Sequence, residues 1–358
     1  MKKFLTLLLL VTSMVTLAQQ NPTLPVDPNV RTGKLENGLT YYVRHNGHPE
    51  NRADFYIAQK VGSMQEEDNQ AGLAHFLEHM AFNGTENFPG KSMLNYLQDN
   101  GIKFGTNINA YTSFDETVYF LTDIPTTNRN LMDSALLVLH DWANAIALEE
   151  EELESERGVI REEWRTRGGA QQRLWDQLLP EMFPGSKYAK RMPIGSIDVI
   201  NNFKPEEIRA YYHKWYRPDL QGIIVVGDFD VDEMEKKIID LFSPIKLDEE
   251  VAEREYYPVP DNKEPIFALA TDNEARNTSI MMFYKHDPMP DELKNTQAGY
   301  LTQYIKNAAA SMMNQRFSEI LQKPDAPFTS AYAYDGDFFV AKTKDAWTVA
   351  SASADDKI

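Results

Sequence analysis

The stretch Gly72-Leu73-Ala74-His75-Phe76-Leu77-Glu78-His79-Met80-Ala81-Phe82-Asn83-Gly84 carries two histidines four residues apart, with a glutamate directly before the second. Apolar residues recur at helical spacing over 70–82, which predicts an amphipathic helix, with Asp68 as its potential cap and Asn83-Gly84 as its stop. Positions i and i+4 lie on one helical face, so His75 and His79 can converge on one Zn2+ while Glu78, at i+3, points to the same side. Zinc in such a site needs a third protein ligand and an open position for water, whose pKa it lowers towards neutrality. An adjacent carboxylate can then take the proton as the water attacks a carbonyl. The alternative is two solvated histidines in a chance run. With seven histidines in 358 residues, that coincidence is expected on the order of once in a hundred such chains. The other five, His45, His48, His140, His213 and His286, are scattered and read as structural or solvated.

A third ligand has to come from another element, and the charged helix expected over 149–167 offers candidates. Glu156 and Glu163 are seven apart, hence on one face, and Val159 and Ile160 between them are read as part of that face, which implies burial. Two buried carboxylates without a cation would be costly. A metal with its histidine shell resolves this, one glutamate binding zinc and the other orienting a ligating imidazole. Helical angle alone does not separate Glu149, Glu150, Glu151 and Glu152, readable as a solvated acidic face, from Glu156.

Working outward, 34–46 alternates around Asn37-Gly38 as a hairpin, and 53–61 continues as a β-rich run. A helix is expected at 92–99, strands at 107–112 and 117–123, and a long helix over 128–148 with Leu131, Ala135, Leu139, Trp142 and Ile146 at helical spacing. Beyond these come a helix at 205–215, a buried strand at 222–227 and a helix at 232–242. A Pro- and charge-rich linker over about 246–264 suggests a domain boundary, giving a first domain over 19–248 and a second from 249 onward. There a strand at 279–286, a helix at 297–321 and alternating runs at 328–334 and 346–352 repeat the opening order, as a duplicated α+β unit would. The copy is expected to be incomplete, because a strand-like run is followed directly by the last residue, Ile358.

Lys2 and Lys3, followed by an apolar run to Leu17 and the small residue Ala18, read as a signal peptide over 1–18. Export to the periplasm or beyond is the expectation, with no membrane anchor once the leader is cleaved. The chain has no cysteine, so no disulfide can form and no lipid can be attached at the cleavage point. A hydrophobic content of 42% can supply an ordinary core instead. The formal charge of −18 argues against nucleic acid as a partner.

The order His-x-x-Glu-His resembles the inverted zinc signature of the pitrilysin and insulinase family of metallopeptidases, the inverzincins. Gly72-Leu73-Ala74, Phe82-Asn83-Gly84-Thr85, Asn109-Ala110-Tyr111-Thr112, the block Glu156-Arg157-Gly158-Val159-Ile160-Arg161-Glu162-Glu163, Pro193-Ile194-Gly195 and the run 216–228 resemble family blocks, in the right order. The resemblance implies repeated α/β-sandwich peptidase domains of α+β class, each a mixed, mostly antiparallel sheet packed by helices, the second one non-catalytic. It implies zinc on His75, His79 and Glu163, Glu78 as the catalytic base, and Glu156 supporting the site from behind its ligands. It also implies that Asn109 and Ala110 lie on an edge strand to which an extended substrate peptide pairs; an ordinary edge strand is the alternative. The function that follows is zinc-dependent cleavage of peptides or unfolded segments, inside a chamber closed by further C-terminal domains or a second chain. The rival is a non-catalytic peptide-binding subunit or inactive fragment of a larger clamshell, since the Arg and Tyr that the family supplies from its second half have no counterpart here.

Overall fold

The computed structural model describes residues 21–353, so the leader expected over 1–18 lies outside the described residues. Strand and helix positions follow from the apolar pattern. In β1 (Val30–Lys34) and β2 (Thr40–His45) the hairpin closes through Leu35 N to Leu39 O at 2.8 Å. β3 (Arg52–Gln59) buries alternate residues, Ala53, Phe55, Ile57 and Gln59. After two short 3-10 turns come α1 (Leu73–Met80), α2 (Ser92–Asp99), β4 (Ile108–Thr112), β5 (Thr117–Pro125), α3 (Arg129–Asn144) and α4 (Glu150–Arg167). Two helices then appear where the sequence analysis places none, α5 (Ala170–Met182) and α6 (Ile197–Asn202), followed by α7 (Pro205–Trp215), β6 (Gln221–Gly227) and α8 (Val231–Phe242). α5 has apolar residues at helical spacing, Leu174, Trp175, Leu178, Leu179 and Met182, but Pro180 interrupts them and only Leu179 is buried; α6 is barely one and a half turns long.

The six strands form one mixed sheet in the order β1-β2-β6-β3-β5-β4. Every neighbouring pair is antiparallel except β2 with β6. Helices α3 and α8 pack on this sheet, and α1 packs against β4, α4 and α7. Trp142 of α3 donates its indole N–H to Ala81 O at 3.0 Å, tying that helix to the end of α1. Asp141 beside it, wholly buried, accepts from Thr85 Oγ1 at 2.6 Å and Asn87 Nδ2 at 2.8 Å and so holds the loop after α1.

Two details of α1 differ from the sequence reading. It is not amphipathic but buried all round, with only His79 among its residues partly accessible. Its start lies later than the apolar pattern suggests, and Asp68 does not cap it. Gly72 precedes the helix at φ +105, a left-handed conformation, and Glu66 serves as the cap from a distance, its Oε1 accepting from Gly72 N at 3.0 Å and Ala74 N at 2.8 Å.

The described residues divide into two compact units, Asp27–Glu274 and a second formed by 275–353 together with 21–26. The division therefore falls after Glu274 rather than at 248. The Pro- and charge-rich stretch is held to the first unit: Arg254 donates to Lys60 O at 2.6 Å, and Arg173 forks onto Asp272 at 2.7 and 2.8 Å. The second unit holds β7 (Thr278–His286), α9 (Asp291–Lys294), α10 (Gln297–Leu321), β8 (Ser330–Phe338) and β9 (Ala341–Ser353), with strand order β7-β9-β8, all antiparallel. That order repeats β3-β5-β4 of the first unit, strand for strand, with α10 in the place of α1. A three-stranded sheet and one long helix bury little, and Ile280, Met282, Tyr300, Tyr304 and Met312 stay exposed.

The start of α1 touches Gly195, whose φ is +71 and where a Cβ would sit 2.2 Å from Gly72 Cα. Ser196 N donates to Ala71 O at 3.1 Å across the same contact. Gly195→Ala should therefore lower unfolding stability by about 3 kcal/mol or more. Gly101→Ala, at φ +84 but with open space around the added carbon, should lower it by about 1 kcal/mol. Denaturant midpoints of the two variants check the difference.

Candidate metal centre

α1 and α4 meet with their polar side chains facing one another. α4 presents Leu153, Glu156, Arg157 and Ile160 to the protein, one face at the spacing i, i+3, i+4, i+7. Val159, expected on that face, lies one residue round from Ile160 and is 51% exposed. Arg157 fixes the helix in place: it donates to Ile200 O and, at 3.1 Å, to Phe203 O, and its guanidinium lies 4.1 Å from the centre of the Phe203 ring. Phe203 in turn packs edge-on against Phe76 of α1, centroids 4.8 Å apart. The two helices are thus joined through an aromatic contact on one side of the polar cluster.

On the other side the structure brings His75, His79 and Glu163 together, with one potential ligand atom from each all within 4.8 Å of one another. Glu163 Oε2 lies 3.2 Å from His79 Nε2 and 3.7 Å from His75 Nε2. The second distance is too long for a hydrogen bond. Both suit ligands sharing an ion, since tetrahedral zinc with bonds of 2.0–2.1 Å sets its ligands ~3.3 Å apart. The donor set of two neutral imidazoles and a carboxylate is one zinc favours. The residues present therefore fit the ion the sequence suggests.

Behind these three stand residues that fix them. Glu156 Oε1 lies 2.8 Å from His79 Nδ1, which directs Nε2 towards Glu163, and Glu156 Oε2 accepts from Asn83 Nδ2 at 2.7 Å. Lys91 donates to Asn83 Oδ1, continuing the chain of bonds outward. Arg167, one turn beyond Glu163, reaches back to its Oε1 at 2.6 Å. Glu78, buried on α1, accepts from Thr112 Oγ1 of β4 at 2.6 Å. Asn83, Lys91, Arg167 and the hydroxyl of Thr112 were not assigned these tasks from sequence, because each works through a side-chain contact between elements that no spacing reveals.

The electrostatics reflect burial against charge. Burial, reinforced by the charge on His79, pushes His75 down to about 4, so its imidazole is neutral and ready to ligate. Burial also opposes charge on His79, but its bonds to Glu156 and Glu163 outweigh that and push it up to about 9. The bond from His79, working against burial and helped by His75 and Arg167, holds Glu163 at about 2. Burial raises Glu78, although the Thr112 hydroxyl works the other way. Without an ion, a proton on His79 occupies the place of the cation.

Asn109 and Ala110 sit on β4, which is the edge of the six-stranded sheet. Ala110 N donates to Asn109 Oδ1 at 2.9 Å, so that amide is not part of the β4–β5 ladder. A second cluster, His286, Asp335 and Asp345, lies in the other unit, but Lys306 Nζ at 2.6 Å from Asp335 already supplies the cation there.

The model for Insulinase (Peptidase family M16) matches residues 41–192, and that for the Peptidase M16 inactive domain matches 202–345. The chain belongs to the M16 insulinase family. The first of these matches spans α1 and α4, and the inactive-domain match spans α10, the histidine-free counterpart of α1. Among curated M16 relatives, the chain is 34% identical over 299 residues to the probable zinc protease PqqL of Escherichia coli strain K12, covering 84% of this chain and 32% of that protein. It is 34% identical to the zinc protease PQQL-like of Arabidopsis thaliana, covering 87% and 32% respectively. The solved structure of the first half of the periplasmic protease PqqL from Escherichia coli superposes with TM-score 0.83 at 31% identity, over 94% of this chain and 70% of that one. The chain thus spans about a third of the length of these two curated relatives.

Because His79 carries a proton below about 9, zinc must displace it. The apparent zinc affinity should therefore rise about tenfold per pH unit between pH 6 and 8, with about one proton released at pH 7. Calorimetric titration in buffers of different ionisation enthalpy measures both. Glu156→Gln should weaken zinc binding about 10–100-fold, read by competition with a chelating dye.

Proposed function

We propose that this chain carries the zinc centre of an exported endopeptidase acting on peptides and unfolded segments, with His75, His79 and Glu163 as ligands and Glu78 as general base. The observation that carries the reading is the convergence of two imidazoles from one helical turn and a carboxylate from a separate helix, with a fourth ionisable group beside them held by Thr112. Bound zinc supplies Lewis acidity, lowering the pKa of a water and polarising the scissile carbonyl. Glu78, raised by burial and next to this cluster, takes the proton from the attacking water and passes it to the leaving amine. Glu156 keeps the His79 ring in one orientation throughout, and Arg167 shares the charge of Glu163.

The substrate is read as an extended chain lying along β4 at Asn109 and Ala110, pairing with outward-facing backbone once the Asn109 side chain releases the Ala110 amide. Export rests on the leader-like sequence over 1–18 and on the periplasmic setting of the similar Escherichia coli protein. The partner we propose is the remainder of a clamshell, as further domains or as a second chain, which would admit unfolded polypeptide and exclude folded protein.

A fluorogenic peptide assay, with zinc content measured on the same preparations, tests this. Glu78→Gln should keep one zinc per chain and lower kcat about 100- to 10,000-fold, whereas Glu163→Gln should lose the metal itself. A Glu78→Gln variant that binds zinc and peptide like the parent, in a parent that cleaves nothing, would assign the chain to peptide holding rather than hydrolysis.

A further inference from the structure

The two imidazoles of the metal centre are held in different ways. His79 has a partner on the ring nitrogen that faces away from Glu163, since Glu156 meets its Nδ1 at 2.8 Å. His75 has none: its Nδ1 is buried and makes no hydrogen bond. A ligating histidine is ordinarily oriented by a bond to its other ring nitrogen. For His75 that task falls to the backbone that carries it, the first turn of α1.

That turn has no local side-chain cap. Gly72, the residue before the helix, has no side chain to offer, and the first N–H groups of a helix lack partners within it. Glu66 Oε1 accepts from the backbone on both sides of Leu73, from Gly72 N at 3.0 Å and from Ala74 N at 2.8 Å, the second directly before His75.

Glu66 is itself wholly buried on an anchored segment. That segment is bonded to the turn after β4, Ser63 N to Ser113 O at 3.2 Å and Met64 N to Phe114 O at 2.8 Å. It is also bonded to α7, whose Tyr211 hydroxyl donates to Gly62 O at 2.9 Å. Thr112, which holds Glu78, directly precedes Ser113. One side chain thus sets the start of α1 against the strand end that also holds Glu78. Burial pushes the Glu66 carboxyl up to about 8, against the bonds from Ala74 and Gly72 and the charges of Arg191 and Lys187. At neutral pH it is the uncharged acid: Oε1 accepts both bonds as a carbonyl oxygen, and Oε2, which has no partner, carries the proton.

We propose that Glu66 is a positioning residue for His75, fixing through Gly72 N and Ala74 N the turn that aims this imidazole at the ion. The inference rests on the reading of His75 as a zinc ligand. Its consequence is that a side chain which touches no ligand governs one of them, as Glu156 governs the other.

Three measurements on the intact chain test it: zinc affinity by competition with a chelating dye, the visible spectrum of the Co2+-loaded protein, and the denaturant midpoint without metal. Glu66→Ala should weaken zinc binding about tenfold or more and lower the intensity of the Co2+ bands, as water replaces His75 in the tetrahedral set. Glu66→Gln, whose amide oxygen can accept the same two bonds, should restore both to the parent values. Glu66→Asp, one methylene short of the two amides, should change both in the direction of Glu66→Ala, and this pair of variants decides the matter should the alanine variant fail to fold. Ile238→Ala, a truncation of a buried side chain on α8, should lower the midpoint and leave affinity and spectrum unchanged. Parent-like affinity and spectrum in both Glu66→Ala and Glu66→Asp, equal impairment of Glu66→Gln and Glu66→Asp, or the same changes in Ile238→Ala would overturn the assignment. His75→Ala keeps the two readings apart: if it binds zinc as the parent does, the metal centre itself is misassigned and the role of Glu66 falls with it, whereas loss of zinc there with parent-like Glu66 variants removes only the role of Glu66.

Discussion

The structure depends on burying a helix that carries three ionisable side chains. α1 sits inside the first unit with Leu73, Phe76, Leu77 and Met80 in the apolar core, yet His75, Glu78 and His79 share the same two turns. A charged group taken out of water without compensation loses several kcal/mol, more than the burial of one large apolar side chain returns. The surroundings of α1 answer that demand. Glu66 caps its first turn, Glu156 and Glu163 face its histidines, and Thr112 reaches Glu78. Each partner comes from a different element, so the tertiary arrangement and the polar cluster require one another.

This explains why the acidic helix α4 is ordered where composition alone suggests a solvated rod. Its mean hydropathy is low and its apolar contacts few, but Arg157 anchors it to Ile200 and Phe203 on one flank and its two glutamates anchor it to α1 on the other. The repeated topology of the second unit provides the contrast. α10 occupies the position of α1 against a sheet of the same strand order, carries no histidine, and remains largely exposed along its length. Fold and metal site are therefore separable: the β-strand order recurs without the site, and only α1 has the buried charges that call for one.

Much of this was legible in the sequence, and the reasons differ from place to place. α2 and α7 match the expected limits because an apolar stripe, and at α7 a leading Pro205, mark them; α10 matches too, although its apolar residues are spread around the helix. The spacing His75-x-x-Glu78-His79 fixed the shared face, and the interval between Glu156 and Glu163 fixed theirs. The start of α1 was misread because Gly72 takes a left-handed conformation and the cap, Glu66, is six residues upstream of it. The compact units divide after Glu274 and not within the Pro- and charge-rich stretch, because proline and charge are equally compatible with a linker and with a strap tied down by Arg254 and Arg173. Val159 was placed inside because two adjacent apolar residues were assigned to one face, although neighbours on a helix are separated by about 100°. None of the bonds through Asn83, Lys91, Arg167 or Thr112 is encoded in local spacing, so these residues could be recognised only once the elements were assembled.

The charge balance at the centre links its structure to the chemistry proposed for it. Three carboxylates, Glu78, Glu156 and Glu163, are matched by Arg167, by Lys91 acting through Asn83, and by the proton held on His79. Exchanging that proton for a divalent ion leaves the cluster with one positive charge in excess. Hydrolysis of an amide places negative charge on the carbonyl oxygen in the transition state, and fixed positive charge in a poorly hydrated site stabilises it without having to reorganise. The edge strand gives this excess a direction. Thr112, which holds Glu78, and Ala110, whose amide lies outside the ladder, are two residues apart on β4, about 7 Å along the strand. A peptide paired beside Ala110 would thus bring a backbone carbonyl within a residue or two of the base, at the one end of the sheet where the excess charge lies.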